Sequence, residues 1–452
     1  MTERFDAIDL RRIDGGLMLV TAAYAVAAAV GLPLFGDGAY YFFRIALEGE
    51  PLVPNLRWTA VLGQLPVLAA WPLTDDVLAL RHAFSFGYAM LPVLSLAVCW
   101  LLVRRRAPWL VLFPALTLIA LQINFSGVSE LLLSLHLTWP FVLLVAVHPA
   151  SRWALGYGLV LGPLLLLLHP LTFALALPSV VLALWGARRA PARRPGWQLA
   201  AVLLAVAGVA RLLWTALGSN AYEREHLAPD AAATYLLPDH DSQLLLLGVV
   251  LALGLALTVL GWRPADRWAG RLLKPGFALV LLLAVYIGGL FWLGEGIRLK
   301  AGLCFPLALA LMAMAVAAAG RPGLPPALIG RLFGLGAAAV LVLTLSKSVA
   351  WWTATHGLMD ITASTGSDCI PFAVQEPYSL QWPWMAIVDD WATPFNALVF
   401  RAPWPVALLL PYDGCERLEA TGIAHLTSWS ERPAARLAER FGPLRAVAHE
   451  PE

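Results

Sequence analysis

Charge is what this chain most lacks: only 13% of its 452 residues are Asp, Glu, Lys or Arg, against 60% hydrophobic and a mean hydropathy of +0.73. Soluble domains carry about a quarter charged residues, so a soluble chain is excluded and a polytopic membrane protein is expected. A net charge of +2, with basic residues spread over short loops, argues against a nucleic-acid partner. Cysteine is scarce as well, with four in all. Cys99 and Cys304 lie inside apolar runs and read as inert core thiols. No Cys/His pair has zinc-site spacing, and no G-x-S-x-G elbow offers a serine nucleophile. The first apolar segment ends in Gly-Leu-Pro-Leu-Phe rather than a small-residue cleavage site, so a retained helix is expected instead of a cleaved signal. There is neither a long-period repeat nor the matched pair of broken helices that marks many transporters.

What is present is apolar length. By the rule that about 20 residues span a bilayer, the spans fall at roughly 13–35, 82–103, 107–123, 130–148, 153–169, 171–187, 197–217, 243–261, 275–293, 300–319 and 332–350. The expected fold is therefore all-α, with about 11 transmembrane helices, a large first outer loop and a small C-terminal outer-face domain. The expected domains are 1–350 in the membrane and 351–452 outside it. Arg11, Arg12, Arg104 to Arg106, Arg152 and the arginines of 188–194 fall on one side, which the positive-inside rule makes cytoplasmic. The run 59–73 is short and broken by Pro66 and Pro72, so it reads as an interfacial or re-entrant segment of the first loop.

This topology gathers the polar residues at the outer face. The stretch Gly36-Asp37-Gly38-Ala39-Tyr40-Tyr41-Phe42-Phe43-Arg44 follows the first span. If it turns helical, Asp37, Tyr41, Arg44 and Glu48 share a face. Charges at the edge of an apolar bundle mark a site, although an interfacial helix with solvated charges, capped by Asp37, fits the same residues. Arg57 and Gln64 follow in the same loop. Glu130 and His136 lie near the outer end of the fourth span, with Ser129 and His136 on one helical face, and His169 sits at a bend. Arg211 lies within the outer half of a later span. Glu295, Arg298 and Lys300 form a short outer loop whose cations suit a lipid phosphate or pyrophosphate; snorkelling to phospholipid headgroups is the plainer use. Asp75-Asp76 and Asp389-Asp390 offer paired carboxylates to a divalent cation such as Mg or Mn, or serve as turn and cap residues. Cys369 and Cys415 are the natural disulfide pair if the tail faces an oxidising compartment.

With these residues in place, the layout resembles the membrane-integral glycosyltransferases of the GT-C superfamily. The resemblance implies a polyprenyl-phosphate sugar donor, a lipid, glycan or protein acceptor, and inversion at the anomeric carbon. It makes Asp37, the acidic residue after the first span, the base. It likens Arg298 to Pro306 to the basic stretch that meets the donor phosphate. Tyr40, Tyr41, Arg44, Arg57, Gln64, Glu130, His136, His169 and Arg211 would bind substrate. The expected location is a bacterial-type inner membrane, among membrane lipids, with the N-terminus cytoplasmic. Two other classes remain open: an undecaprenyl-diphosphate-dependent oligosaccharide ligase or polymerase using His226 or His240, and a non-enzymatic envelope lipid transporter.

Overall fold

In hydrocarbon every backbone N–H and C=O must be bonded within the protein, so apolar runs of this length resolve as helices. The computed structural model describes residues 7–123, 128–218, 305–319, 325–364, 366–371, 392–400, 405–410, 413–427 and 430–447. The expected spans 243–261 and 275–293 lie outside the described residues, as do Glu295, Arg298, Lys300, His226, His240 and the Asp389-Asp390 pair.

The chain is mostly helical. Helix α1 spans Ala7–Ala29 and α2 spans Asp37–Glu48; α3 is Leu65–Ala70, α4 Val77–Val103, α5 Leu112–Ala120 and α6 Glu130–Val147. They are followed by α7 (Arg152–Leu166), α8 (Phe173–Arg189), α9 (Arg194–Leu217), α10 (Phe305–Ala318) and α11 (Pro326–Ser364). Among the described residues six helices are long and apolar enough to cross a membrane, beginning at Arg11, Val77, Glu130, Pro170, Pro191 and Leu328. Three shorter apolar helices, Pro108–Ala120, Arg152–Leu166 and Phe305–Ala318, accompany them. The segment 59–73 does not form a span. It folds as a 3-10 turn, the short α3 and a second 3-10 turn, because Pro66 and Pro72 interrupt its ladder.

Local sequence sets several boundaries. Asp76 caps α4 by accepting from the Leu78 N–H, and Ser129 caps α6 by accepting from Leu132. Gly49, at φ 70°, takes the left-handed turn that ends α2. The bundle has two unlike ends. Arg106, Arg189 and Arg193 bond the carbonyls of Val147, Ala146 and Ala150 at one of them. At the other, the loop end, α2 and the 50–73 segment fold back over the helices.

The tail rests on that loop end. The expected domain boundary at 350/351 falls inside α11, which continues to Ser364. Beyond it lie β1 (Cys369–Pro371), α12 (Thr393–Val399), β2 (Leu408–Leu410), α13 (Gly414–Thr421), β3 (Ile423–Thr427), β4 (Ser430–Pro433) and α14 (Ala434–Phe441). The tail is thus not wholly helical. Strand β1 pairs parallel with β2, and β3 antiparallel with β4. Cys369 and Cys415 are joined by a disulfide that ties β1 to α13.

Tail and bundle share one apolar core. Phe43 on α2 packs on Phe395 at 5.0 Å between ring centroids and stacks on Phe441 at 5.3 Å. Trp351 lies between Phe35 and Phe400, and its indole N–H donates to the Gly31 carbonyl at 2.9 Å.

The turn into α2 depends on Gly38, where an added Cβ would collide with the Pro33 carbonyl oxygen and meet Val128 at 3.1 Å. Backbone cannot yield as a side chain can, so Gly38→Ala should destabilise the protein by about 1–3 kcal/mol. Gly156→Ala, at a helical position with nothing within 4 Å, should be neutral to slightly stabilising. Thermal unfolding of the two variants in detergent checks both.

Candidate active site at the loop end

The candidate site begins with a carboxylate that the chain has placed out of water. Glu130, the first residue of α6, is 6% exposed. A charge in such a place persists only if it is paired and hydrogen-bonded. Tyr41 on α2 donates its phenol to Glu130 Oε1 at 2.6 Å, and Arg57 Nη1 stands 3.4 Å from Oε2. These partners are 89 and 73 residues away in sequence, so one carboxylate joins α2, the first loop and α6. Tyr41 has its pKa raised well above the usual phenol value, first by burial and then by the charges of Glu130 and Asp37. The phenol therefore stays protonated and keeps donating.

Asp37 stands in the first turn of α2, half-buried, where the positive end of the helix favours a carboxylate. Its charge acts on both Tyr41 and Tyr88, which places it beside the Glu130 cluster. His169 also lies within electrostatic range of Glu130. Its Nδ1 accepts from the Leu171 N–H at 3.2 Å, so in the neutral ring the proton sits on Nε2.

Gln64 is fully buried, and its amide holds the loop by accepting from the Leu52 N–H at 2.9 Å and donating to the Leu52 carbonyl at 2.8 Å. That pair of hydrogen bonds fixes the loop segment that carries Arg57. Position 64 is thus a positioning residue for the cluster.

The single-face expectation for α2 holds only in part. Tyr41 reaches Glu130, whereas Arg44, about 60° round the helix, reaches Tyr40 and Glu48. Arg44 pairs with Glu48 through two bonds, of 2.9 and 2.7 Å, and donates to the Tyr40 hydroxyl at 2.9 Å. Glu48 also receives Arg432 of β4 at 3.1 Å, so this pair belongs to the docking of the tail. Arg440 strengthens the docking by donating to the Ala46 carbonyl and reaching Asp75 at 3.3 Å.

Arg211 is 4% exposed and lies between Gly208, whose added Cβ would meet Ala176, and Thr215, which bonds the Pro170 carbonyl at 3.4 Å. It therefore faces the α8 side, near the His169-Pro170 corner. His136 lies about 9 Å along α6 from Glu130 by helical rise, facing a cavity with Ser129. Asp75 and Asp76 are occupied by Arg440 and by the α4 cap, and among the described residues no group of three or more His, Cys, Asp or Glu has metal-holding geometry.

Sequence reasoning missed Lys347, Tyr24, Gln122 and Thr344. Lys347 is 7% exposed, and Gln122 bonds both the Tyr24 hydroxyl at 2.8 Å and Thr344 at 3.0 Å. A lysine between two serines in an otherwise apolar helix was the available signal. Compared with known protein families, with curated proteins and with solved structures, the chain matches none.

Two measurements check these roles. Tyr41→Phe removes a bond to a charged acceptor and should cost about 1.5–3 kcal/mol of unfolding free energy. Glu48 has a lowered pKa: burial pushes it up, and the hydrogen bonds and charges of Arg44 and Arg432 more than reverse that. Its contribution to stability is therefore full above the unfolded carboxyl value near ~4.3 and is lost as pH falls through the folded value. The stability gap between wild type and Glu48→Gln, followed by thermal unfolding from neutral to acid pH, should narrow as pH falls below the unfolded carboxyl value.

Proposed function

We propose that this chain is a multi-pass inner-membrane transferase with GT-C-like architecture and about eleven spans. Its N-terminus and arginine-rich end are cytoplasmic, and the loop end with the tail faces outward. It moves a sugar from a polyprenyl-phosphate donor to a lipid, glycan or protein acceptor at that outer end. The observation that carries the reading is the buried Glu130–Tyr41–Arg57 cluster with Asp37 beside it at the rim of an apolar bundle. A structural protein has little use for such a costly arrangement at a helix end, whereas a site that must hold charge near lipid requires it.

Each residue has a role in the chemistry. The acceptor hydroxyl attacks the anomeric carbon and forms the new C–O bond while the bond from that carbon to the phosphate oxygen breaks. The bonding pair leaves with the polyprenyl phosphate, and the acceptor proton passes to the Asp37 carboxylate. Glu130, Tyr41 and Arg57 hold α2 against α6 so that Asp37 keeps its place. The departing phosphate gains negative charge and needs cations. Arg211 is a candidate among the described residues, and Arg298 and Lys300 are proposed to join it.

General-base catalysis contributes about 10²–10⁴-fold. Transfer from radiolabelled polyprenyl-phosphate sugars by protein in lipid should therefore fall at least ~100-fold in Asp37→Asn while its unfolding midpoint stays near wild type. Undiminished transfer by Asp37→Asn would remove the base. No transfer by wild type from any polyprenyl-monophosphate donor would remove the reaction class.

A further inference from the structure

The arginine-rich end carries charge that its own stretch of chain does not answer. Between Asp76 and Glu223 the sequence has a single acidic residue, Glu130, which lies at the opposite end of α6. The same stretch brings eight arginines to this end: the three of 104–106, Arg152, and the four of 188–194. Four of them gather on the turn from α6 to α7, which closes through a bond from the Ser151 N–H to the His148 carbonyl at 2.9 Å. Arg106 donates to the Val147 carbonyl at 3.1 Å, Arg189 to Ala146 at 2.8 Å and Arg193 to Ala150 at 2.6 Å. Arg152 leaves the same turn and lies over the Trp153 ring at 5.3 Å.

These acceptors are neutral. A carbonyl takes one of the five N–H groups of a guanidinium and leaves the charge uncancelled. None of the eight arginines forms an ion pair with a described carboxylate. Asp14, at this end on α1, instead accepts the Trp100 indole N–H at 2.9 Å. The turn therefore presents several guanidinium forks, three of them already ordered by their carbonyl bonds, and such forks match phosphate oxygens. The adjoining surface says what carries the phosphate. Val181 and Leu184 on α8, and Leu199 and Val202 on α9, are exposed, each pair three residues apart on one helical face. These apolar faces begin beside the arginines, so an anionic head and acyl chains are accommodated side by side. We infer that the α6–α7 turn, with Arg106, Arg152, Arg189 and Arg193, binds the headgroup of an anionic phospholipid whose chains lie along α8 and α9. The inference does not rest on the transfer reaction, because occupancy is measured without turnover.

The test titrates the full-length protein in detergent with phosphatidylglycerol or with phosphatidylcholine of the same chains, and native mass spectrometry counts the lipids bound. Each basic residue beside an anionic headgroup is worth about five-fold in affinity. Wild type should bind phosphatidylglycerol at least ~10-fold more tightly than phosphatidylcholine. The double variant Arg189→Gln/Arg193→Gln should weaken phosphatidylglycerol by at least ~10-fold. Arg11→Gln/Arg331→Gln removes the same charge from exposed positions at the same end, on α1 and α11, and should stay within about three-fold of wild type. Equal affinity of wild type for the two lipids would overturn the inference. So would equal losses in the two double variants, which would mean that net charge acts without a site. Should Arg189→Gln/Arg193→Gln fail to fold, Arg152→Gln takes its place, since Arg152 is exposed and bonds no carbonyl among the described residues. It should bind phosphatidylglycerol about five-fold more weakly than Arg331→Gln, and equal affinities of these two would again overturn the inference.

Discussion

The buried carboxylate of Glu130 is the constraint on which the loop end depends. Desolvating a carboxylate costs several kcal/mol, about what its partners must return. Here they come from two separate pieces of chain, Tyr41 on α2 and Arg57 in the first loop. Neither piece spans the bundle, and this bond sets their positions together with the Gln64–Leu52 hydrogen bonds in the loop and the Arg432–Glu48 and Arg440–Ala46 contacts on α2. With it, α2 is held between α6 on one side and the tail on the other, and Asp37 is carried at its start.

The tail fits the same logic from outside. Phe395 and Phe441 cover Phe43, and Arg432 completes the Arg44–Glu48 pair. The disulfide between Cys369 and Cys415 closes a stretch 46 residues long and ties β1 to α13 within the tail. Docking aromatic rings on one face of α2 while ionic groups engage its C-terminal end holds the helix in place. Tail and first loop therefore form one rim.

Much of this was legible in the sequence, for identifiable reasons. Apolar length gave the helices, proline kept 59–73 from spanning, and the Asp75-Asp76 pair offered the cap chemistry that Asp76 supplies to α4. The polar residues 37–44, 57, 64 and 130 were marked as a site because charge near hydrocarbon is costly. What the sequence could not give was which neighbour turns inward. Tyr40 and Tyr41 stand about 100° apart on a helix, and only the position of Glu130, 89 residues later, decides that Tyr41 is buried while Tyr40 meets Arg44. Lys347 went unseen for a similar reason. A lysine near the end of an apolar span fits snorkelling equally well, and its direction is set by the helices packed around α11.

The central claim is that lipid-borne substrate meets this protein at the loop end, beside Asp37 and Glu130. The most direct test is photo-crosslinking with a polyprenyl phosphate carrying a diazirine near its phosphate, followed by peptide mapping. The account predicts labels within 37–64 and 128–136, suppressed by excess unlabelled polyprenyl phosphate. Labels confined to the arginine-rich end, or labels that competitor does not suppress, would contradict it.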